Sequence, residues 1–182
     1  MSTLFQGTRQ SIGLRVAKWR FRKTIDEIIS FTTAVSSARR ALLIMPLTAQ
    51  DLLPTVKVIE MLRTQFKEKN LTVVTGDRGL EVIRMLPQSR FLHLLGSQVS
   101  YFFLPRGDFL NSIREKRYDL AVDLNLDLVL PSGYICKASG AKIRVGFNHQ
   151  QADLFYNFQI KPDPTLGRKL IYDRLVQCLQ KF

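Results

Sequence analysis

The sequence predicts an α/β protein: a Rossmann-like parallel sheet with helices on both faces, preceded by a basic amphipathic N-terminal helix. Three observations carry this expectation. Short, wholly apolar runs such as Ala41–Met45 suit strands buried on both faces. Segments with helical spacing of apolar residues alternate with them. Pro46, Gly76-Asp77, Pro87 and Pro105 punctuate the alternation where turns are needed.

The elements follow in chain order. From Ile12 to Ser37, Leu14, Ala17, Phe21, Ile25, Ile28, Thr32 and Val35 recur three or four residues apart and share one face of a helix. Arg15, Lys18, Arg22 and Lys23 lie mostly away from that stripe, and Trp19 and Phe31 widen the apolar surface. Ala41–Met45 is the first strand. Asp51 to Phe66 is a helix with Leu53, Val56, Ile59 or Glu60, and Arg63 on successive turns. Leu71–Thr75 is a second strand, and Gly79 to Leu86 a short helix ended by Pro87. Phe91–Leu95 and Val99–Leu104 are strand-like, Phe109–Lys116 is helical and Leu120–Asp123 is a buried strand. Val129–Ser139 is a helix capped by Gly140, Ile143–Gly146 a last strand, Leu154–Ile160 extended or irregular, and Leu170–Gln180 a closing helix. Residues 1–39 are expected to be a basic arm and helix, and residues 40–182 the Rossmann-like domain. Ligands in such sheets sit at the carboxyl ends of the strands, near the point where strand order reverses. That directs attention to the loops after Met45, Thr75, Leu104, Asp123 and Gly146.

Composition narrows the function classes. The chain has 182 residues, 46% hydrophobic and 23% charged, the proportions of a globular domain. No apolar run approaches the roughly 18–20 residues that cross a bilayer, and no signal-peptide core is visible at the N-terminus. Lys and Arg exceed Asp and Glu by 27 to 15. Residues 1–40 hold eight of those cations (Arg9, Arg15, Lys18, Arg20, Arg22, Lys23, Arg39, Arg40) against Asp26 and Glu27, a net +6. An excess so placed calls for an anionic partner: a lipid surface, a phosphorylated glycan, nucleic acid or an acidic protein. Arg15, Lys18, Trp19, Arg22 and Lys23 are the expected contact residues for a membrane or a protein partner.

Several chemistries are excluded by missing motifs. No G-x-G-x-x-G follows the first strand and no G-x-x-x-x-G-K-[ST] occurs, against dinucleotide and P-loop sites. No G-x-S-x-G elbow supports a Ser hydrolase. Cys136, Cys178, His93 and His149 lack partners at metal-ligand spacing, so no metal and no disulfide is expected. No nucleic-acid-binding module accompanies the charge, which makes nucleic acid an unlikely partner.

Three segments carry a family resemblance. Leu42-Leu-Ile-Met-Pro-Leu-Thr-Ala-Gln-Asp51-Leu-Leu-Pro-Thr55 resembles the first strand and following helix start of family 9 glycosyltransferases, the heptosyltransferase family. Tyr118-Asp-Leu-Ala-Val-Asp123-Leu-Asn125 resembles that family's Tyr-Asp-Leu-x-(Ile/Val)-Asp-x-(Gln/Asn) strand, and Ala138-Ser-Gly-Ala-Lys-Ile-Arg144-Val-Gly146-Phe147 its Ser-Gly-Ala-x-x-Arg-(Ile/Val)-Gly-(Phe/Tyr) turn. The resemblance covers roughly residues 40–160 and implies one half of a GT-B fold, the N-terminal, acceptor-side domain, without the sugar-nucleotide half. It implies inverting, metal-independent transfer with no cofactor, in lipopolysaccharide biosynthesis on the cytoplasmic side of a bacterial inner membrane. Asp51 matches the carboxylate taken as general base. Where the family has Gly before that acid, this chain has Gln50.

Thr48, Gln50, Asp123, Asn125, Lys142 and Arg144 are the expected acceptor-binding residues, and a separate donor-domain chain, anionic lipid or phosphorylated glycan the expected partners. Two functions compete. A split glycosyltransferase, inactive alone, expects an open cleft with Asp51 exposed in it. A non-catalytic scaffold or binding subunit of a membrane-associated complex expects a filled or shallow cleft and a working surface on the basic helix or on an exposed apolar face.

Overall fold

A computed structural model describes residues 2–24, 26, 30–80 and 90–181 of the chain. Six strands form one sheet: β1 (Ala41–Ile44), β2 (Leu71–Thr75), β3 (Arg90–His93), β4 (Leu120–Asp123), β5 (Ile143–Phe147) and β6 (Phe158–Ile160). All neighbours pair in parallel, in the order β3-β2-β1-β4-β5-β6. This is the doubly wound order, and it reverses between β1 and β4. Every residue of β1, β2, β4 and β5 is buried, which is why those strands are continuous apolar runs in the sequence.

Alternation along the strands divides the core in two. Leu43, Val73, Val122 and Val145 face α2 (Phe31–Ser36), α4 (Val56–Asn70) and α7 (Arg168–Gln180). Leu42, Ile44, Val74 and Ala121 face α1 (Ser2–Phe21), α5 (Gly107–Arg114) and α6 (Leu130–Ala138). The remaining helix, α3 (Ala49–Leu52), is a single turn after β1, joined to α4 by a 3₁₀ turn over Leu53–Thr55. Helix α6 ends as expected: Gly140 takes φ +71°, which its missing Cβ permits.

The structure differs from the sequence expectations in four places. The single helix expected over Ile12–Ser37 is two helices on opposite faces of the sheet. Leu14, Ala17 and Phe21 pack in one core and Val35 in the other, while Ile25 and Ile28 lie outside the described residues. Between the helices, Asp26 is tied to Lys137 at 2.9 Å and to Arg144 at 2.5 Å, so the chain is pinned where it crosses the sheet. In α4 the buried stripe is Val58, Ile59, Leu62 and Phe66, whereas Leu53 is 70% exposed. Val99–Leu104 is a tight turn rather than a strand, with Phe103 at φ +60° and a lone bridge between Val99 and Pro105. Conversely, Phe158–Ile160 closes the sheet as an edge strand. The expected helix over Gly79–Leu86 falls mostly outside the described residues.

Candidate functional site at the strand reversal

The turn after β1 and the turn after β4 meet at the reversal of strand order. Asn125 joins them: its Oδ1 accepts from the backbone N–H of Leu47 at 3.0 Å, and its Nδ2 donates to the carbonyl of Met45 at 3.5 Å. Below it, Asp123 is the last residue of β4, level with Ile44 of β1. Its Oδ1 accepts from the backbone and side-chain nitrogens of Asn125 at 3.0 and 2.7 Å, and its Oδ2 from the Tyr156 hydroxyl at 2.8 Å. The Tyr156 ring lies on Gly146, where a Cβ would sit 2.6 Å from its nearest atom. Burial pushes the Asp123 carboxyl up to about 6 against the pull of those donors. Burial likewise raises the Tyr156 phenol, with the neighbouring Asp123 charge adding to it. Asp123 and Asn125 therefore shape the two turns from beneath.

Asp51 begins one turn further on, in α3. It is 2% exposed, so the expectation of an exposed Asp51 is not met. Its Oδ1 accepts from Nη1 of Arg168, at the start of α7, at 2.5 Å. No other donor among the described residues reaches the carboxylate. The pairing raises the Arg168 guanidinium further, first through the hydrogen bond and then through the charge of Asp51. Thr48 and Gln50 are exposed at the rim, as is Asp127 beyond Asn125. The surface above Asp51 thus offers a hydroxyl, an amide, a carboxylate and a half-exposed guanidinium.

Lys142 and Arg144 are not brought to this end. Arg144 is level with Ala121, the second residue of β4, while Asp123 is the fourth. Its guanidinium is buried and donates to the carbonyls of Phe155 and Ala141 and to Asp26. Burial raises the Asp26 carboxyl, but hydrogen bonds and charge from Lys137 and Arg144 outweigh this and hold it below its ordinary value. Exposed Lys142 lies beside Ser30 and Asp119 at the amino ends of the strands. The parallel direction of the sheet separates both residues from Asp51.

A cavity of about 560 Å³ opens beside the reversal, at the carboxyl ends of β1, β2 and β3. Pro46, Leu47, Gly76 and Leu94 line it from the strand ends, Tyr101 and Phe103 from the tight turn. Arg9 of α1 and Arg78 face it. Arg9 is the residue that sequence reasoning missed as a site group; only its charge singled it out. Arg168 was missed as well, because nothing in Gly167-Arg168-Lys169 marks a partner 117 residues away.

Arg15 and Lys18 of α1, and Arg22 and Lys23 in the turn that follows it, are exposed. Trp19 is 62% exposed with the Arg22 guanidinium 5.1 Å from its ring, and Ile12 is exposed on the same side. No helix among the described residues is long and apolar enough to cross a membrane.

Comparison with solved structures places this architecture. The E. coli heptosyltransferase WaaC with ADP superposes with a TM-score of 0.60 at 14% identity, over 79% of this chain and 47% of that one. The same enzyme with ADP-2-deoxy-2-fluoro heptose gives 0.61 at 15%, over 79% and 49%. The chain has a heptosyltransferase-like fold. A family 9 glycosyltransferase from Veillonella parvula DSM 2008 agrees, at 0.57 and 17% identity, over 78% of this chain and 41% of its own. The chain spans just under half the length of the heptosyltransferase structures it matches. No family model and no curated protein matches it in sequence.

Proposed function

We propose that this chain is the acceptor-binding half of a heptosyltransferase-like glycosyltransferase, peripheral to a membrane and inactive until a sugar-nucleotide domain closes over it. The supporting observation is Asp51: a carboxylate at the strand reversal with one oxygen fixed by Arg168 and no donor among the described residues on the other. The base role requires an acceptor hydroxyl to reach Oδ2. As the oxygen bonds to the anomeric carbon, its proton passes to Asp51 and the nucleoside diphosphate leaves from the opposite face. Arg168 orients the carboxylate, and Thr48 and Gln50 present hydroxyl and amide groups to the acceptor sugar. Transfer also needs the donor held in the same cleft, on whatever polypeptide the donor domain resides. The exposed cations and Trp19 on and just after α1 suit an anionic lipid surface, where the ring sits at the headgroup level.

A second reading, a non-catalytic subunit that keeps the fold, draws support from the burial of Asp51 and from Gln50 beside it. The two separate experimentally. Tagged protein is recovered from gently solubilised membranes and assayed for transfer from a nucleotide-linked heptose to a phosphorylated lipid A core acceptor. The enzyme reading expects a co-purifying sugar-nucleotide domain and transfer that Asp51→Asn abolishes while the complex survives. Recovery within an unrelated membrane assembly, with no transfer, supports the scaffold reading.

A further inference from the structure

We propose that the cavity at the carboxyl ends of β1, β2 and β3 is a binding site for a small anionic amphiphile, and that helix α1 completes it through Arg9. The ligand class is a single acyl or aromatic group carrying a phosphate or carboxylate.

At about 560 Å³ the cavity lies within the range of small-molecule sites. Its walls are mostly apolar: Leu47, Leu94, Val99, Phe103 and Pro131 offer hydrocarbon or ring surface. Among the described residues that line it, the charged groups are two guanidinium groups and one carboxylate. The carboxylate, Asp77, is taken by Nε2 of His93 at 2.6 Å. Arg78 is exposed and has no partner among the described residues, so its full donor set is open to an anion.

Arg9 is fixed before any ligand arrives. Its Nε donates to the carbonyl of Tyr101 at 2.8 Å, and its guanidinium lies 3.6 Å from the centre of the Tyr101 ring and 4.9 Å from that of Phe103. Those rings sit on the tight turn after β3, where Phe103 holds the left-handed backbone conformation that side chains disfavour. The turn is enforced by hydrogen bonds between Ser100 and both Leu104 and Phe103. Helix α1 reaches it because Gly13 lies against the Phe102 carbonyl, close enough that a Cβ would overlap it. Strain, close approach and a stacked cation thus converge on one wall of the cavity. Apolar walls suit a chain or ring, and two guanidinium groups on the lining suit a charged head. Asp51, Gln50 and Asn125 do not line this cavity, so the site stands whether or not the chain takes part in sugar transfer.

The test is calorimetric titration of the full chain with monomeric dodecyl phosphate. One site per chain is expected, with inorganic phosphate and dodecyl maltoside each binding at least about tenfold more weakly. Arg78→Gln should weaken binding about tenfold, the loss of one charge-assisted contact, and it breaks nothing else. Arg9→Gln should weaken it at least as much. Competition from phosphatidylglycerol vesicles assigns the ligand to the bilayer, and its absence assigns it to a soluble pool. Either outcome supports the site when the Arg78 effect persists. Unchanged affinity in Arg78→Gln, or several equivalent salt-sensitive sites, would overturn the proposal. Neither result touches the transfer assay, which turns on Asp51.

Discussion

Replacing Asp123 with Asn should remove a defined block of pH dependence from the stability of the fold. Asp123 is fully buried at the end of β4 and accepts three hydrogen bonds, yet burial lifts its carboxyl from 3.8 to about 6. Below pH 4 the group is neutral in both folded and unfolded chains. Between 4 and 6 the unfolded chain loses this proton while the folded chain keeps it, so stability falls as pH rises through that window. At 1.36 kcal/mol per pH unit, the displacement amounts to about 3 kcal/mol above pH 6. Asn is isosteric: its Oδ1 still accepts from Asn125, and its Nδ2 can donate to the Tyr156 oxygen. The variant and the parent should therefore match near pH 4. By pH 7.5 the variant should be more stable by about 3 kcal/mol, or about 6–12 °C in Tm for a chain of this size. Urea or thermal unfolding of both proteins across pH 4–8 measures this. Parallel stability curves would refute the reasoning, since they would mean that Asp123 ionises in the fold at no cost.

Three further outcomes are expected. Gly13→Ala should force α1 away from the Phe102 carbonyl and Leu130, costing about 1–3 kcal/mol by overpacking, read as a lower unfolding midpoint. Arg168→Gln leaves the buried Asp51 carboxylate without its cation. Because Arg168 is 42% exposed, solvent screening limits the loss to about 1–2 kcal/mol, and Asp51→Asn on the same background should recover most of it. Arg15, Lys18 and Lys23 make no ion pair among the described residues, so changing all three to Gln should leave Tm unaltered. At about 1 kcal/mol per cation, the triple change should lower the partition constant onto phosphatidylglycerol vesicles, measured by sedimentation, by about two orders of magnitude.

Much of the sheet was legible because its strands are buried on both faces, leaving runs such as Leu120–Asp123 that no amphipathic helix would carry. Strand β6 was obscure because an edge strand of three half-buried residues leaves little pattern. The N-terminal break was hidden for a different reason. Leu14, Ala17 and Phe21 keep helical spacing with Val35, but they belong to cores on opposite faces of the sheet, and spacing alone carries no information about which face. The turn at Ser100–Leu104 looked like a strand because its aromatics serve the cavity wall and Arg9 rather than a ladder. At the site, the sequence directed attention to the turns after Met45 and Asp123, which do meet at the strand reversal, but not to the burial of Asp51. The clamp from Arg168 was not legible, since it depends on how α7 docks. Arg144 was misplaced because its motif fixes a strand, not which end of the sheet its guanidinium serves.

Amide hydrogen exchange with a phosphorylated, deacylated lipid A core oligosaccharide tests the central claim most directly, because it needs neither donor nor partner chain. If the end of the sheet at the strand reversal receives an acceptor glycan, protection should rise at Leu47–Leu52 and Leu124–Leu128 and stay unchanged at Lys142–Arg144. Protection confined to the outer face of α1, or none at saturating glycan, would contradict an acceptor site at that reversal.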